Sequence, residues 1–223
     1  MEVLDLSLLE FQNVSYSNDS QNILNNISIQ IESNDYISIV GPSGSGKSTF
    51  LKLCCHLQSP TAGTILYNNK PIMEYNPTDL RKNIAYVFQT PYLFGDTVFD
   101  NINFPFSIRS VKPDQDRINE LFSLFDMTTE YLKKEVKNLS GGEKQRIALI
   151  RSLIFKPDIL LLDEITSALD MINSQIVEKV ISTLNKEGIS ILWVTHNLEQ
   201  SKKYANKLLT IDAGAIKSLE VIS

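Results

Sequence analysis

A chain of 223 residues, 43% hydrophobic and 21% charged, has the composition of an ordinary globular protein and enough length to bury a substantial core. A formal charge of −5 gives no basic footprint, which excludes nucleic acid as the default partner. No apolar run approaches the ~20 residues needed to cross a bilayer, and the N-terminus carries no signal-peptide pattern; the expectation is a soluble, cytoplasmic chain unless another protein holds it at a membrane.

Taken in order, residues 8–16, 23–31, 36–40 and 64–67 are predicted strands, separated by the turn formers Asn25-Asn26 and Ser33-Asn34-Asp35. Directly after the third strand comes Gly41-Pro42-Ser43-Gly44-Ser45-Gly46-Lys47-Ser48-Thr49, a full match to the phosphate-loop pattern. Residues 50–57 contain no breaker and are predicted as a helix, so strand, loop and helix stand in the order the pattern requires. The glycines let backbone N–H groups turn inward around a polyphosphate, and the helix N-terminus adds its positive dipole. Lys47 is placed to reach the β- and γ-phosphates, and the Ser48 hydroxyl to bind Mg²⁺. This stretch predicts a nucleoside-triphosphate site.

Cys54, Cys55 and His56 invite a metal reading. Consecutive helical residues point about 100° apart and do not converge on one ion, so these three are expected to pack or to face solvent. Pro60-Thr61-Ala62-Gly63 ends the helix, and residues 84–88 form another apolar run predicted as a core strand. From about Thr90 to Asn138 the pattern is broken by Pro91, Pro105 and Pro113, and residues 115–126 space Ile118, Leu121, Phe122 and Phe125 as a helix does. An inserted, mostly helical subdomain is expected here, at residues 90–155, flanked by a nucleotide-binding core at 1–89 and 156–223 within a single domain. Beyond it, helices are predicted near 142–155 and 173–186 and strands at 159–162 and 189–194. That alternation implies a mainly parallel sheet with helices on its faces.

Two strand ends carry chemistry. The run at 158–162 ends in Asp163-Glu164, and the strand at 189–194 ends in Thr195-His196. Ligands of open parallel sheets bind beyond the carboxyl ends of the strands. Asp163 therefore suits Mg²⁺ coordination through water, Glu164 a general base or water-orienting group, and His196 a hydrogen bond to the γ-phosphate. Each has a plainer reading: the carboxylates as helix caps, the histidine as a structural side chain. A phosphate loop in the same chain favours the nucleotide roles. Leu139-Ser140-Gly141-Gly142-Glu143 is likewise double. Ser140 with Glu143 fits a capping box, while the N–H groups it exposes suit a phosphate.

Together, the phosphate loop, this serine-glycine stretch and Asp163-Glu164 resemble the ordered motifs of ATP-binding cassette (ABC) ATPases, and the resemblance spans essentially the whole chain. It implies an α/β P-loop NTPase (RecA-like) core with an N-terminal antiparallel β subdomain and an inserted α-helical subdomain. It also implies that Tyr16 stacks on adenine, and that Gln89 occupies the glutamine loop, joining Ser48 and Asp163 at Mg²⁺. Ser167-Ala168-Leu169-Asp170 matches the D-loop, with Asp170 at the nucleotide site, and His196 matches the switch histidine. In that family two ATPase domains dimerise head to tail around two ATP molecules. Ser140, Gly141 and Gly142 are thus expected to meet the γ-phosphate bound by the partner's Lys47. Glu143 stands where the family often has Gln; a carboxylate aimed at phosphate repels it, so Glu143 is expected to turn back as the capping-box partner.

Residues 89–105 and 162–170, with Leu192-Trp193-Val194-Thr195-His196, further resemble the ATP-binding subunits of Fet-type iron exporters. The expectation is an ATPase subunit, peripheral on the inner face of the cell membrane, that drives a separate integral-membrane permease. Its contact with that permease is expected near residues 89–101, where Tyr92, Phe94 and Phe99 offer aromatic anchors, with subdomain core as their plainer reading. Exporters of lipid or lipoprotein type and importers stay open, as does a non-transport ABC ATPase; repair members would need long coiled-coil insertions and translation members usually two cassettes.

Overall fold

The computed structural model describes residues 7–19 and 21–222. An antiparallel sheet opens the chain: β1 (Leu9–Asn18), β2 (Gln21–Ile31), β4 (Ala62–Tyr67) and β5 (Lys70–Pro71), in the order β2-β1-β4-β5. β3 (Tyr36–Val40) leaves this sheet for a second one, together with β6 (Ile84–Val87), β7 (Ile159–Asp163), β8 (Ser190–Val194), β9 (Lys207–Asp212) and β10 (Ala215–Val221). Its order is β10-β9-β3-β8-β7-β6, parallel throughout except for the antiparallel edge strand β10. The helices are α1 (Lys47–Cys54), α2 (Pro77–Asn83), α3 (Val98–Ile108), α4 (Gln115–Leu124), α5 (Gly141–Leu153), α6 (Met171–Lys186) and α7 (Leu198–Lys203).

β7 and β8 have no polar face because both of their faces are covered. Ile159 and Leu161 join Leu192 and Val194 in one hydrophobic cluster, with Phe50, Leu51 and Leu53 of α1 and the inner face of the antiparallel sheet. Leu160 and Leu162 join Ile191 and Trp193 in the other, with side chains of α3, α4, α5 and α6. Alternate residues of one strand thus feed two cores, which is why such strands read as unbroken apolar runs. The carboxyl ends of β3, β7 and β8 open on the same edge of the sheet, since all three run parallel.

Several elements differ from the sequence expectation. α1 begins at Lys47, inside the phosphate loop, and stops at Cys54. Cys55 is its C-cap, and His56 has a left-handed φ of 53°. Both cysteines are fully buried free thiols, and burial raises both thiols well above the ordinary range. Pro105 does not break the chain but lies within α3, where its missing N–H leaves the Asn101 carbonyl without its helical partner. A Thr97–Asp100 capping box starts that helix, and the tertiary contacts of Val98, Ile102 and Phe106 hold it. The chain between β6 and β7 forms helices and no strand beyond an isolated Thr97–Glu135 bridge. The β9–β10 hairpin was not foreseen; its two turn residues, Ala213 and Gly214, have φ of 47° and 78°, as a two-residue primed turn requires.

Candidate functional site: a phosphate-loop cleft

The phosphate loop leaves β3 at Gly41, whose φ is 147°. A Cβ there would lie 1.9 Å from the Ile211 carbonyl oxygen of β9, so only glycine fits. Gly46 caps α1 in the left-handed region, and a Cβ on it would meet Leu24 at 2.6 Å. The β9–β10 turn braces the loop from the other side: Gly214 N–H donates to the Ser45 carbonyl (3.2 Å), and the Gly214 carbonyl accepts from Asn25 N–H (2.8 Å). These contacts shape a cleft of about 620 Å³ lined by residues 43–49, Glu164, the β2 end at residues 21–23, and Ala213-Gly214.

The loop has the properties of an anion cradle. The Ser45 hydroxyl is buried without a hydrogen-bond partner, and buried polar atoms in native proteins are seldom left so. The buried Lys47 ammonium donates to the Gly41 and Pro42 carbonyls at 2.9 and 2.8 Å. Burial lowers its pKa while the nearby Glu164 and Asp163 carboxylates oppose the shift. A polyphosphate would satisfy the ammonium, the Ser45 hydroxyl and the first-turn N–H groups together.

Two carboxylates meet the loop from the end of β7. Asp163 accepts from the Ser48 hydroxyl on Oδ1 (2.9 Å) and from the Tyr86 hydroxyl on Oδ2 (2.6 Å). Glu164, next in sequence, adopts a left-handed φ of 50°, an uncommon backbone state for a non-glycine residue. Its carboxylate is held between Gln89 Nε2 (2.9 Å, on Oε2) and His196 Nε2 (2.7 Å, on Oε1). The Gln89 amide also approaches the Ser167 hydroxyl at 3.5 Å. Ser48 with Asp163, and Gln89 and His196 with Glu164, thus form two bonded groups at the end of β7, beside Lys47.

Other expected site residues lie elsewhere. Tyr16 pairs with Leu24 across β1 and β2, one residue from the wall residue Ile23, and packs on the core without lining the cleft. Asp170 is the N-cap of α6, accepting from the Asn173 N–H (2.8 Å) and side-chain amide (2.7 Å). Ser140, Gly141 and Gly142 open α5 outside this cleft. There Ser140 Oγ accepts from Glu143 N–H (3.2 Å), and a Glu143 oxygen accepts from Ser140 N–H (2.7 Å). Glu143 also accepts from the Tyr131 hydroxyl (2.6 Å) and from Lys134 (3.2 Å). Burial alone would raise its carboxyl, but these hydrogen bonds outweigh burial and hold it at about 2.

Sequence reasoning missed Tyr86 and the β9–β10 turn. Tyr86 gave no motif signal of its own. The hairpin did leave one, since the apolar Leu208, Leu209 and Ile211 precede an Asp212-Ala213-Gly214 turn.

The two-sheet α/β fold and this cleft define a P-loop ATPase of the cassette type. The chain belongs to the ABC transporter family, which matches residues 24–167. It is 44% identical over 209 residues to the "Probable iron export ATP-binding protein FetA" of Escherichia coli (strain K12), covering 93% of this chain and 92% of that one. It is 34% identical to the "Spermidine/putrescine import ATP-binding protein PotA" of Borreliella afzelii (strain PKo), covering 96% of this chain and 62% of that one. Among solved structures, a dimeric post-hydrolysis state of the ATP-binding cassette MJ0796 bound to ADP and Pi superposes with a TM-score of 0.86 at 26% identity, covering 96% of this chain and 99% of that one. The chain is accordingly an ATP-binding cassette ATPase. Among the described residues, no helix is long and apolar enough to cross a membrane.

Proposed function

We propose that this chain is the ATP-hydrolysing subunit of an exporter of iron or another metal or small solute, peripheral on the cytoplasmic face of the membrane and driving a separate permease. The observation that carries the hydrolytic role is the Glu164 carboxylate, held between Gln89 and His196 at the edge of the phosphate-loop cleft. Export rests on the likeness to an iron-export ATP-binding protein, which exceeds the likeness to an import subunit by ten points of identity (44% against 34%). The cargo itself would not touch this subunit; its described residues hold no His/Cys/Asp/Glu cluster suited to a metal.

ATP would lay its phosphates in the loop formed by residues 41–49, with Lys47 turning from the Gly41 and Pro42 carbonyls to the β- and γ-phosphates. Tyr16, beside the β2 wall, is the stacking surface for adenine. Ser48 and Asp163 form a hard-oxygen donor set that suits Mg²⁺, with Gln89 as a further oxygen ligand once it leaves Glu164. When bound, Mg²⁺ would neutralise charge on the β- and γ-oxygens. Glu164 orients the attacking water and accepts its proton, and His196 hydrogen-bonds the γ-phosphate. Ser140, Gly141 and Gly142 present the α5 N-terminus away from their own cleft, which suits a γ-phosphate held by a second subunit. The D-loop, with Asp170, would lie at that shared site. The dimeric cassette named above supports a head-to-tail homodimer for this chain.

A surface groove between α2–β6 and α3–α5 supports permease docking. About 260 Å³ in volume, it is lined by Leu57, Tyr86, Phe88, Phe104, Ile108 and Phe155 among others, and Phe88 and Phe104 are exposed. Of the aromatics expected to anchor the permease, Tyr92 and Phe99 are exposed, whereas Phe94 packs edge-on against Phe104 at 4.8 Å.

The test is the molar mass of purified Glu164→Gln with and without Mg-ATP. The substitution keeps the triphosphate site, slows turnover on the order of 10³-fold by removing the base, and is expected to trap an ATP-dependent dimer. Hydrolysis by Glu164→Gln at the parent rate would overturn the assignment.

A further inference from the structure

We propose that Tyr86 is a positioning residue for the metal site: its hydroxyl fixes one oxygen of Asp163 so that the other stays beside Ser48. The inference rests on the reading that Asp163 and Ser48 hold Mg²⁺, and extends it to a residue that no motif marks.

The placement follows from strand periodicity. β6 and β7 are parallel neighbours with Tyr86 opposite Leu161. Side chains alternate between faces, so Tyr86, Leu161 and Asp163 share one face of the sheet. α1 packs on that same face, through Phe50, Leu51 and Leu53, and brings Ser48 with it. Tyr86 thereby reaches Asp163 Oδ2 at 2.6 Å while Ser48 reaches Oδ1 at 2.9 Å.

Two further contacts show why the phenol stays there. Its ring meets Phe88 edge-on, with centroids 4.6 Å apart, and packs against the α1-side core. A carboxylate with one oxygen so engaged cannot rotate to withdraw the other. Outer partners of metal ligands act in this way, and their loss typically weakens binding or activity about 10–100-fold.

A phenol in such a setting could instead merely be satisfied by a convenient acceptor. Metal dependence separates the two. Tyr86→Phe keeps the ring, the Phe88 contact and the packing while removing the hydroxyl. Its nucleotide affinity in EDTA should match the parent. In the presence of ATP, its Mn²⁺ affinity by electron paramagnetic resonance should fall about tenfold. The Mg²⁺ concentration for half-maximal ATPase should rise in step, with kcat at saturating Mg²⁺ close to the parent value. Asp163→Asn is measured alongside. A weakened Asp163→Asn with unchanged Mn²⁺ affinity in Tyr86→Phe overturns the role of Tyr86 and leaves the metal reading intact. Unchanged affinity in both overturns the metal reading itself. A fall in EDTA affinity and thermal stability without any change in metal dependence would show Tyr86 to be structural.

Discussion

Asp163 and Glu164 are neighbours in the chain yet serve different partners, and the reason is local geometry. Asp163 ends a strand and obeys its alternation, facing Ser48 and Tyr86. Glu164 turns through the left-handed region, which swings its carboxylate to Gln89 and His196. Residue identity and position past an apolar run revealed both carboxylates, but the division of partners needed the backbone turn. Lys47 gives the sharpest test at this scale. Removing an ammonium that would bridge two phosphates costs about 3 kcal/mol or more, so Lys47→Ala should weaken ATP binding about 100-fold by titration calorimetry. An affinity within threefold of the parent would remove Lys47 from the phosphate site.

At the scale of elements, α5 shows how a helix start that the proposed function places at a phosphate is also built to hold the fold. The Ser140–Glu143 capping box satisfies N–H groups at the helix origin, and Tyr131 and Lys134 clamp the same carboxylate from the preceding turn. The carboxyl is depressed from 4.5 to about 2, so its folded pKa lies below its unfolded one. Its contribution to stability is therefore full above pH ~4.5 and is lost as pH falls toward 2. Against Glu143→Gln, the parent should be more stable by urea unfolding at pH 6. That advantage should shrink steadily between about pH 4.5 and 2; a difference independent of pH over this range would mean the charge is not what the clamp holds. Arg151, from the far end of α5, bonds Asn101 Oδ1 and the Tyr92 carbonyl, each at 2.9 Å. It thus ties this helix to the segment following Gln89.

At the scale of the molecule, two cores share one sheet, and the site lies where the strands of that sheet end. The groove beside α3 and α5 holds exposed aromatic rings on the side chains of Phe88 and Phe104. Buried aromatic anchors at interfaces are worth about 2 kcal/mol or more each. Phe88→Ser with Phe104→Ser should therefore weaken association with the permease on the order of 10³-fold. The double variant should bind ATP in EDTA as the parent does. Retained association would place the permease contact elsewhere.

The sequence by itself determined the phosphate loop, because that loop is a local object: nine consecutive residues running from a strand into a helix specify its shape and charge. It determined the inner strands for a similar reason, since burial on both faces leaves an unbroken apolar run that nothing else in a soluble core demands. Tertiary structure alone decided what long-range contact creates. Tyr86 becomes a partner of Asp163 only when β6 and β7 take their register. Pro105 is tolerated in α3 because packing outweighs one lost hydrogen bond. The β9–β10 turn closes on Ser45 and Asn25 from 169 and 189 residues away in the chain. Asp170 and the Ser140 stretch stand outside their own cleft, an arrangement that suits the site proposed to be shared between two copies.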